Sequence, residues 1–176
     1  FDWEYQRSDS DAMVNMRRLY EAAKRGQWNG STDLEWDTVL EPGPFGRGLI
    51  HDHLLPITDL PQFKALPEDR QIDQRLGLLS WMLSQFLHGE QGALVAAAQV
   101  TEAVPWLDAK LYGSTQVVDE GRHVEVFHTY LTQKLGKLYQ VNDNLYVVID
   151  ALMLSEAWDI KFLGMQIMIE GLALGA

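Results

Sequence analysis

Three glutamates and one histidine carry the chemistry that this sequence offers. Glu90 and Glu170 each lie among apolar residues that repeat at helical spacing. Between them, Glu120 and His123 are three residues apart, which places both side chains on one face of a helix. A carboxylate buried without a partner is costly, because burial removes its hydration. A shared divalent cation would compensate all of these acids at once, so the pattern indicates a metal site.

Each acid also has a simpler interpretation, as half of a buried ion pair. Arg122 is the only basic residue close in sequence to any of the three, so ion pairing accounts poorly for the set. Glu-x-x-His alone is common, and its specificity here comes from the combination with two further inward acids. His51 and His53 lie in a loop rich in Gly and Pro, where we expect a loop role rather than a metal site.

Long helices must position these residues. The apolar spacing predicts a first helix over 10–25, an irregular loop to about residue 66, and a second helix from 68 to 104. A third helix is expected over 106–135, ending at Gly136, and a fourth from about Asp143 to the end of the sequence. Short joins predict an antiparallel bundle, in which separations of 30 and 50 residues bring the three acids to a similar height.

Composition limits the classes of function. The 176 residues, 47% of them hydrophobic, suffice for one domain with a real core. The absence of Cys excludes thiolate metal sites, disulfides and Cys nucleophiles, so any metal must be held by carboxylates and imidazoles. A formal net charge of −11 argues against nucleic acid or an anionic membrane as the partner.

The beginning of the sequence and its most apolar stretch bear on location. The first thirty residues lack the pattern of a signal peptide. The apolar stretch 152–176 is interrupted by charged residues, and its uncharged runs are too short to span a bilayer. We expect a cytoplasmic protein.

Three segments resemble those of a known family. Residues 88–91 (HGEQ), 118–123 (VDEGRH) and 166–171 (QIMIEG) look like the ligand motifs of the ferritin-like di-iron carboxylate proteins. The similarity is to their oxygen-activating branch, which contains the bacterial multicomponent monooxygenase hydroxylase subunits and the ribonucleotide reductase small subunits. The helix around residues 19–21 and the loop 27–37 are similar to the region before the first ligand helix. The resemblance implies a single ferritin-like domain over residues 1–176.

The resemblance also implies roles for individual residues. Glu90 would be a terminal ligand of one iron, Glu120 a bridging carboxylate, His123 an imidazole ligand and Glu170 a ligand of the second iron. Mn is an alternative metal. Two further residues would support these ligands, Asp119 by accepting a hydrogen bond from a ligand imidazole and Arg122 by holding that Asp.

Two positions depart from the family pattern. Phe127 stands where the tyrosyl-radical reductases carry their radical Tyr, which counts against a radical-storing subunit. Leu174 stands where the methane- and toluene-type hydroxylases carry a Thr, which leaves an oxygenase or oxidase of another subfamily. We expect Leu94, Phe127 and Leu174 to line a substrate pocket beside the metals.

The resulting hypothesis is an O₂-activating di-iron oxygenase or oxidase, of monooxygenase type, that acts on a small apolar or aromatic molecule. An electron-donor protein and a homodimer are the expected partners. Two alternatives stay open: a ferroxidase or iron-handling protein of the same fold, and a non-catalytic helical subunit with an incomplete site.

The ligand count is incomplete for a di-iron site. The family uses four carboxylates and two histidines, and the second Glu-x-x-His is missing from this sequence. We expect it on one or more further C-terminal helices. The alternative is a composite site in which two chains each contribute Glu90, Glu120 and His123 across a two-fold axis, but this would leave Glu170 without a role.

Overall fold

A computed structural model describes residues 9–173 and 175, and over these residues the chain forms helices and no strand. The expected all-α class is confirmed. The α-helices of this part of the chain are α1 (Asp11–Arg25), α2 (Pro61–Lys64), α3 (Glu68–Ala103), α4 (Leu107–Thr129), α5 (Asp143–Leu154), α6 (Trp158–Phe162) and α7 (Glu170–Ala173). Two π-helical segments, Tyr130–Leu135 and Leu163–Ile169, continue α4 and α6.

The two longest helices, α3 and α4, form the centre of the bundle. They are antiparallel, since Thr101 contacts Gly113 near the turn that joins them, and Phe86 packs on Phe127 further away, with ring centroids 6.0 Å apart. A side chain at Gly113 would collide with Thr101, so this glycine allows the two helices to approach closely. The predicted helices 68–104 and 106–135 agree with these elements, and Gly136 ends the second with φ +65°.

Two clusters of buried residues lie along α3. One contains Leu87 with Leu131 and Leu135, which follow α4. The other contains Ala93 and Ala96 together with Met165 of the second π-helical segment. Glu90 lies on α3 between the residues that contribute to these two clusters, and its side chain is 15% exposed.

The segment between α1 and α3 is irregular, as expected, although it contains three short 3₁₀ turns and α2. It is held to α3 by Arg75, which is 2% exposed and donates to the Ile50 carbonyl oxygen at 2.9 Å and to the Asp52 carboxylate. Lys134 holds the earlier part by donating to the carbonyl oxygens of Trp36 and Thr38. Side chains from the bundle thus donate hydrogen bonds to backbone carbonyl oxygens of this loop.

The prediction of one continuous fourth helix is wrong. Helix α5 ends before Ser155, and α6 begins after Ala157, because both residues have extended backbone with ψ of 130° and 111°. The buried Lys161 stabilises this break by donating to the Met153 carbonyl oxygen at 3.1 Å and to Gln99 of α3. The helix then passes through the π-helical segment before α7, so Glu170 lies on a different element from the residues at 143–154.

No helix within the described residues is both long enough and apolar enough to cross a membrane.

Candidate metal centre

Helices α3 and α4 bring three of the four predicted ligands together. One ligand atom from each of Glu90, Glu120 and His123 lies within 4.8 Å of the other two. The Nδ1 atom of His123 is 3.1 Å from Oε2 of Glu90 and 3.2 Å from Oε2 of Glu120. The Glu120 and His123 side chains share a face because they are three residues apart on α4, and the antiparallel packing places Glu90 opposite them.

The three side chains differ in burial. Glu120 is the most buried, with its side chain 6% exposed, whereas Glu90 is 15% and His123 is 43% exposed. The centre therefore has a closed side, formed by the two carboxylates in the core, and an open side at the imidazole.

The carboxylates and the imidazole shift one another's protonation. Burial, together with the neighbouring Glu120, raises the pKa of Glu90. Burial also acts to raise the pKa of Glu120, but hydrogen bonds with His123 and Glu90 outweigh it and lower that pKa. Hydrogen bonds to Glu120 and Glu90 raise the pKa of His123 to about 10, so its imidazolium serves as the cation of the cluster.

Glu170 lies near this group without joining it. Burial, and then the negative charges of Glu90 and Glu120, raise the pKa of Glu170 to about 7. Its carboxylate is thus within electrostatic range of the other acids, although it is not part of the group of atoms within 4.8 Å. Glu170 is the first residue of α7, directly after the π-helical segment.

Asp119 and Arg122 form an ion pair with each other. Arg122 also donates to the Gln27 side chain and, at 3.2 Å, to the Trp28 carbonyl oxygen, and its guanidinium lies 5.2 Å from the centre of the Trp28 ring. The predicted link between Arg122 and Asp119 is present. The described hydrogen bonds do not include one from the imidazole of His123 to Asp119, because Nδ1 faces the two glutamates.

The residues predicted to line a substrate pocket have other surroundings. Phe127 packs on Phe86 and on the core cluster of Leu87, Leu131 and Leu135, and Leu94 is half-buried on α3. Leu174 lies outside the described residues. Neither Leu94 nor Phe127 lines the cavity of about 420 Å³ that the structure contains between α1, α3, α4 and the second π-helical segment.

Gln166 is a site residue that the sequence analysis did not single out. Its amide nitrogen Nε2 donates to Oε1 of Glu120 at 3.5 Å, and its side chain also lines the cavity. Its position in the sequence could have indicated this role, because Gln166 is the one polar residue of the apolar run 162–169 and lies one helical turn before Glu170.

Three of the other four histidines, His51, His53 and His88, have partners away from the centre. His51 stacks on His53, with ring centroids 5.7 Å apart, and Asp52 between them binds Arg75 and Arg47. His88 lies 2.9 Å from the Tyr139 carbonyl oxygen. The expected loop role of residues 51–53 agrees with these contacts.

The donor set fits a divalent transition metal. Two carboxylates and one imidazole suit iron or manganese, and a dication would offset the cost of burying the Glu90 and Glu120 carboxylates next to each other. Glu120 and His123 would also have to exchange their mutual contact for a metal, which requires the imidazolium to lose its proton. No protein-family model matches this chain, and neither a curated protein nor a solved structure matches it.

Proposed function

We propose that this protein is an O₂-activating iron oxygenase or oxidase that acts on a small apolar or aromatic molecule. The observation that carries the proposal is the convergence of Glu90, Glu120 and His123 within 4.8 Å between α3 and α4. The motif resemblance to ferritin-like di-iron proteins adds the identity of the metal and the reaction, and manganese is the alternative metal.

Each residue has a defined part in this proposal. Glu90, Glu120 and His123 hold the metal, and Glu170 supplies a further carboxylate from α7. Iron bound there would supply the reductive activation of O₂. The chain itself orients the ligands, because Glu120 and His123 lie on one long uninterrupted helix and Glu90 lies on another. The surrounding core clusters restrict water on the buried side of the carboxylates.

A site with two irons needs more ligands than the described residues provide. They contribute three carboxylates and one imidazole, whereas ferritin-like di-iron sites use four and two. In the proposal, Glu120 would be the carboxylate that both metals share, and a further Glu and His would come from outside these residues. A homodimer and an electron-donor protein complete the proposed assembly.

Anaerobic loading with Fe²⁺, followed by desalting and addition of O₂, tests the proposal. We expect the protein to retain iron and to consume O₂ in proportion to the iron retained. Two irons per chain would support the di-iron form, and one would restrict the proposal to a mononuclear centre. Loss of all iron on desalting would refute the proposal.

A ferroxidase is the second candidate, and the exposure of His123 favours it. With 43% of the imidazole side chain exposed, aqueous Fe²⁺ has direct access to the centre. A ferroxidase would oxidise many equivalents of Fe²⁺ per chain without any organic substrate. An oxygenase would stop after one stoichiometric oxidation unless an electron donor and a substrate are supplied.

A further inference from the structure

An apolar cavity lies next to the candidate metal centre and is not formed by the residues predicted to line a pocket. It has a volume of about 420 Å³ and lies between α1, α3, α4 and the segment from Trp158 to Gln166. We propose that this cavity binds a neutral aromatic molecule and holds it with one end at Gln166, beside Glu120. The volume falls in the range of small-molecule pockets, roughly 300–1,000 Å³.

Aromatic and thioether side chains form the walls. Trp106 and Trp158 meet edge to face, with ring centroids 6.2 Å apart and an interplanar angle of 87°. Met13 and Met16 of α1 lie on another wall, where flexible thioethers adapt to the shape of a bound ring. Trp106 is 39% exposed, so it lies at the rim. Such walls favour a flat apolar molecule that stacks on indole and contacts sulfur.

The uncharged lining of the cavity favours a neutral ligand. None of the described residues that line the cavity is Asp, Glu, Lys, Arg or His, and their polar groups are amides and hydroxyls such as those of Thr101, Gln116 and Gln166. The Thr101 hydroxyl already donates to the Ala97 carbonyl oxygen at 2.7 Å. An anion would find no cationic partner among these described lining residues, and an unpaired charge is costly to bury. The acids of the metal centre would also repel it.

One lining residue, Gln166, connects the cavity to the metal centre. Gln166 lines the cavity and donates to Oε1 of Glu120 at 3.5 Å. Gln116, another lining residue, is four residues before Glu120 on α4, which corresponds to about 6 Å along the helix axis. A ligand in the cavity would therefore lie about one helical turn from the carboxylate cluster. The identification of this ligand as the substrate rests on the proposed function. The binding of the ligand in the cavity does not depend on it.

Binding of naphthalene to the metal-free protein tests the inference by isothermal titration calorimetry. We expect saturable binding of naphthalene, and at least tenfold weaker binding of 2-naphthoate, which has the same rings and a negative charge. Equal affinity for the two compounds, or no saturable binding of naphthalene, would overturn the proposal.

Two substitutions locate the bound molecule. Ala109→Phe and Val100→Phe each add a ring at a lining position and should weaken naphthalene binding at least tenfold. Ala98→Phe makes the same change at an exposed position of α3 next to the lining residue Ala97 and should leave affinity unchanged. An equal loss in all three variants, or no loss in Ala109→Phe and Val100→Phe, would show that the molecule binds elsewhere.

A measurement on the unmodified protein covers the case in which the variants do not fold. Intermolecular NOEs should connect naphthalene protons to the indole protons of Trp106 and Trp158, and their absence under saturating conditions would overturn the proposal. Because all of these experiments use metal-free protein, they separate the two claims. Naphthalene binding without iron retention would support the cavity assignment and refute the oxygenase. Iron retention without naphthalene binding would support the metal centre and refute the cavity assignment.

Discussion

The two parts of the candidate centre are built in different ways. Glu90, Glu120 and His123 lie on α3 and α4, two long helices without interruption at the site. Gln166 and Glu170 come from 158–173, where a five-residue helix, a π-helical segment and a four-residue helix follow one another. The first part fixes its side chains by extensive packing, and the second depends on a few contacts.

Exposure differs less sharply. Both parts leave apolar side chains in solvent, since Val118 of α4 is 52% exposed and Leu172 of α7 is 75% exposed. The second part also contributes to the core, because Met165 is fully buried beside Ala93 and Ala96 of α3. π-Helical segments are frequent at functional sites, because the wider turn shifts the side chains that follow it. The difference teaches that a rigid pair of helices supplies the ligand triad, and that a less regular segment supplies its adjustable neighbours.

Removing a carboxylate from the α3–α4 part of the centre should have the largest effect on metal affinity. We expect Glu120→Ala to weaken binding of Mn²⁺ or Fe²⁺ by more than about 100-fold, since loss of even an outer-shell partner costs about 10- to 100-fold. Calorimetric titration under anaerobic conditions measures the affinity. The control is Glu125→Ala, another glutamate of α4, whose carboxylate is exposed and accepts from the Ser31 hydroxyl. Similar affinities for the two variants would contradict the assignment of the triad.

Glu170, in the less regular part of the centre, should make the stability of the protein depend on pH. The folded-state pKa of Glu170 is raised to about 7 from an ordinary 4.5, so the folded chain favours the protonated form. Stability from this group is therefore fully present below pH 4.5 and is lost as the pH rises to about 7. Glu170→Gln cannot lose that proton and should keep the stability.

Thermal unfolding of metal-free protein measures this difference. The Tm of Glu170→Gln should equal that of the unmodified protein at pH 4 and exceed it above pH 7. A difference of about 1 kcal/mol, after allowance for solvent screening, corresponds to about 2–4 °C. Glu156→Gln, at an exposed position between α5 and α6, is the control and should show no such pH dependence. A constant difference at all pH values would mean that neither burial nor the neighbouring acids raise the pKa of Glu170.

The same contrast decides how much could be predicted from the sequence. The end of α3, and the end of the π-helical segment that continues α4, were predictable, because Pro105 and Gly136 follow them directly or closely in the sequence. The approach of Glu90 to Glu120 and His123 was also predictable, since antiparallel helices joined by a short turn leave few other partners. Helical spacing and turn signals are local, and the triad depends on little else.

The break at 155–157 and the cavity could not be predicted in this way. No Pro or Gly marks the break, which is held by Lys161 through its contacts with Gln99 and the Met153 carbonyl oxygen. The contact of Arg122 with Gln27 and Trp28 likewise joins residues more than 90 positions apart. Such features depend on tertiary packing, and the apolar pattern of 143–173 is equally compatible with one continuous helix.

Gln166 connects the two parts of the candidate centre, and its substitution should have the smallest effect on metal affinity. Its hydrogen bond to Glu120 is 3.5 Å long, at the upper limit for such a contact, so Gln166→Leu should weaken metal binding by less than about threefold. Gln116→Leu is the matched control, because it makes the same change in the cavity lining without a described contact to Glu120. Equal metal affinities in the two variants would place Gln166 with the cavity. A tenfold loss confined to Gln166→Leu would mean instead that the less regular segment fixes the geometry of Glu120, and the division into rigid and adjustable parts would fail.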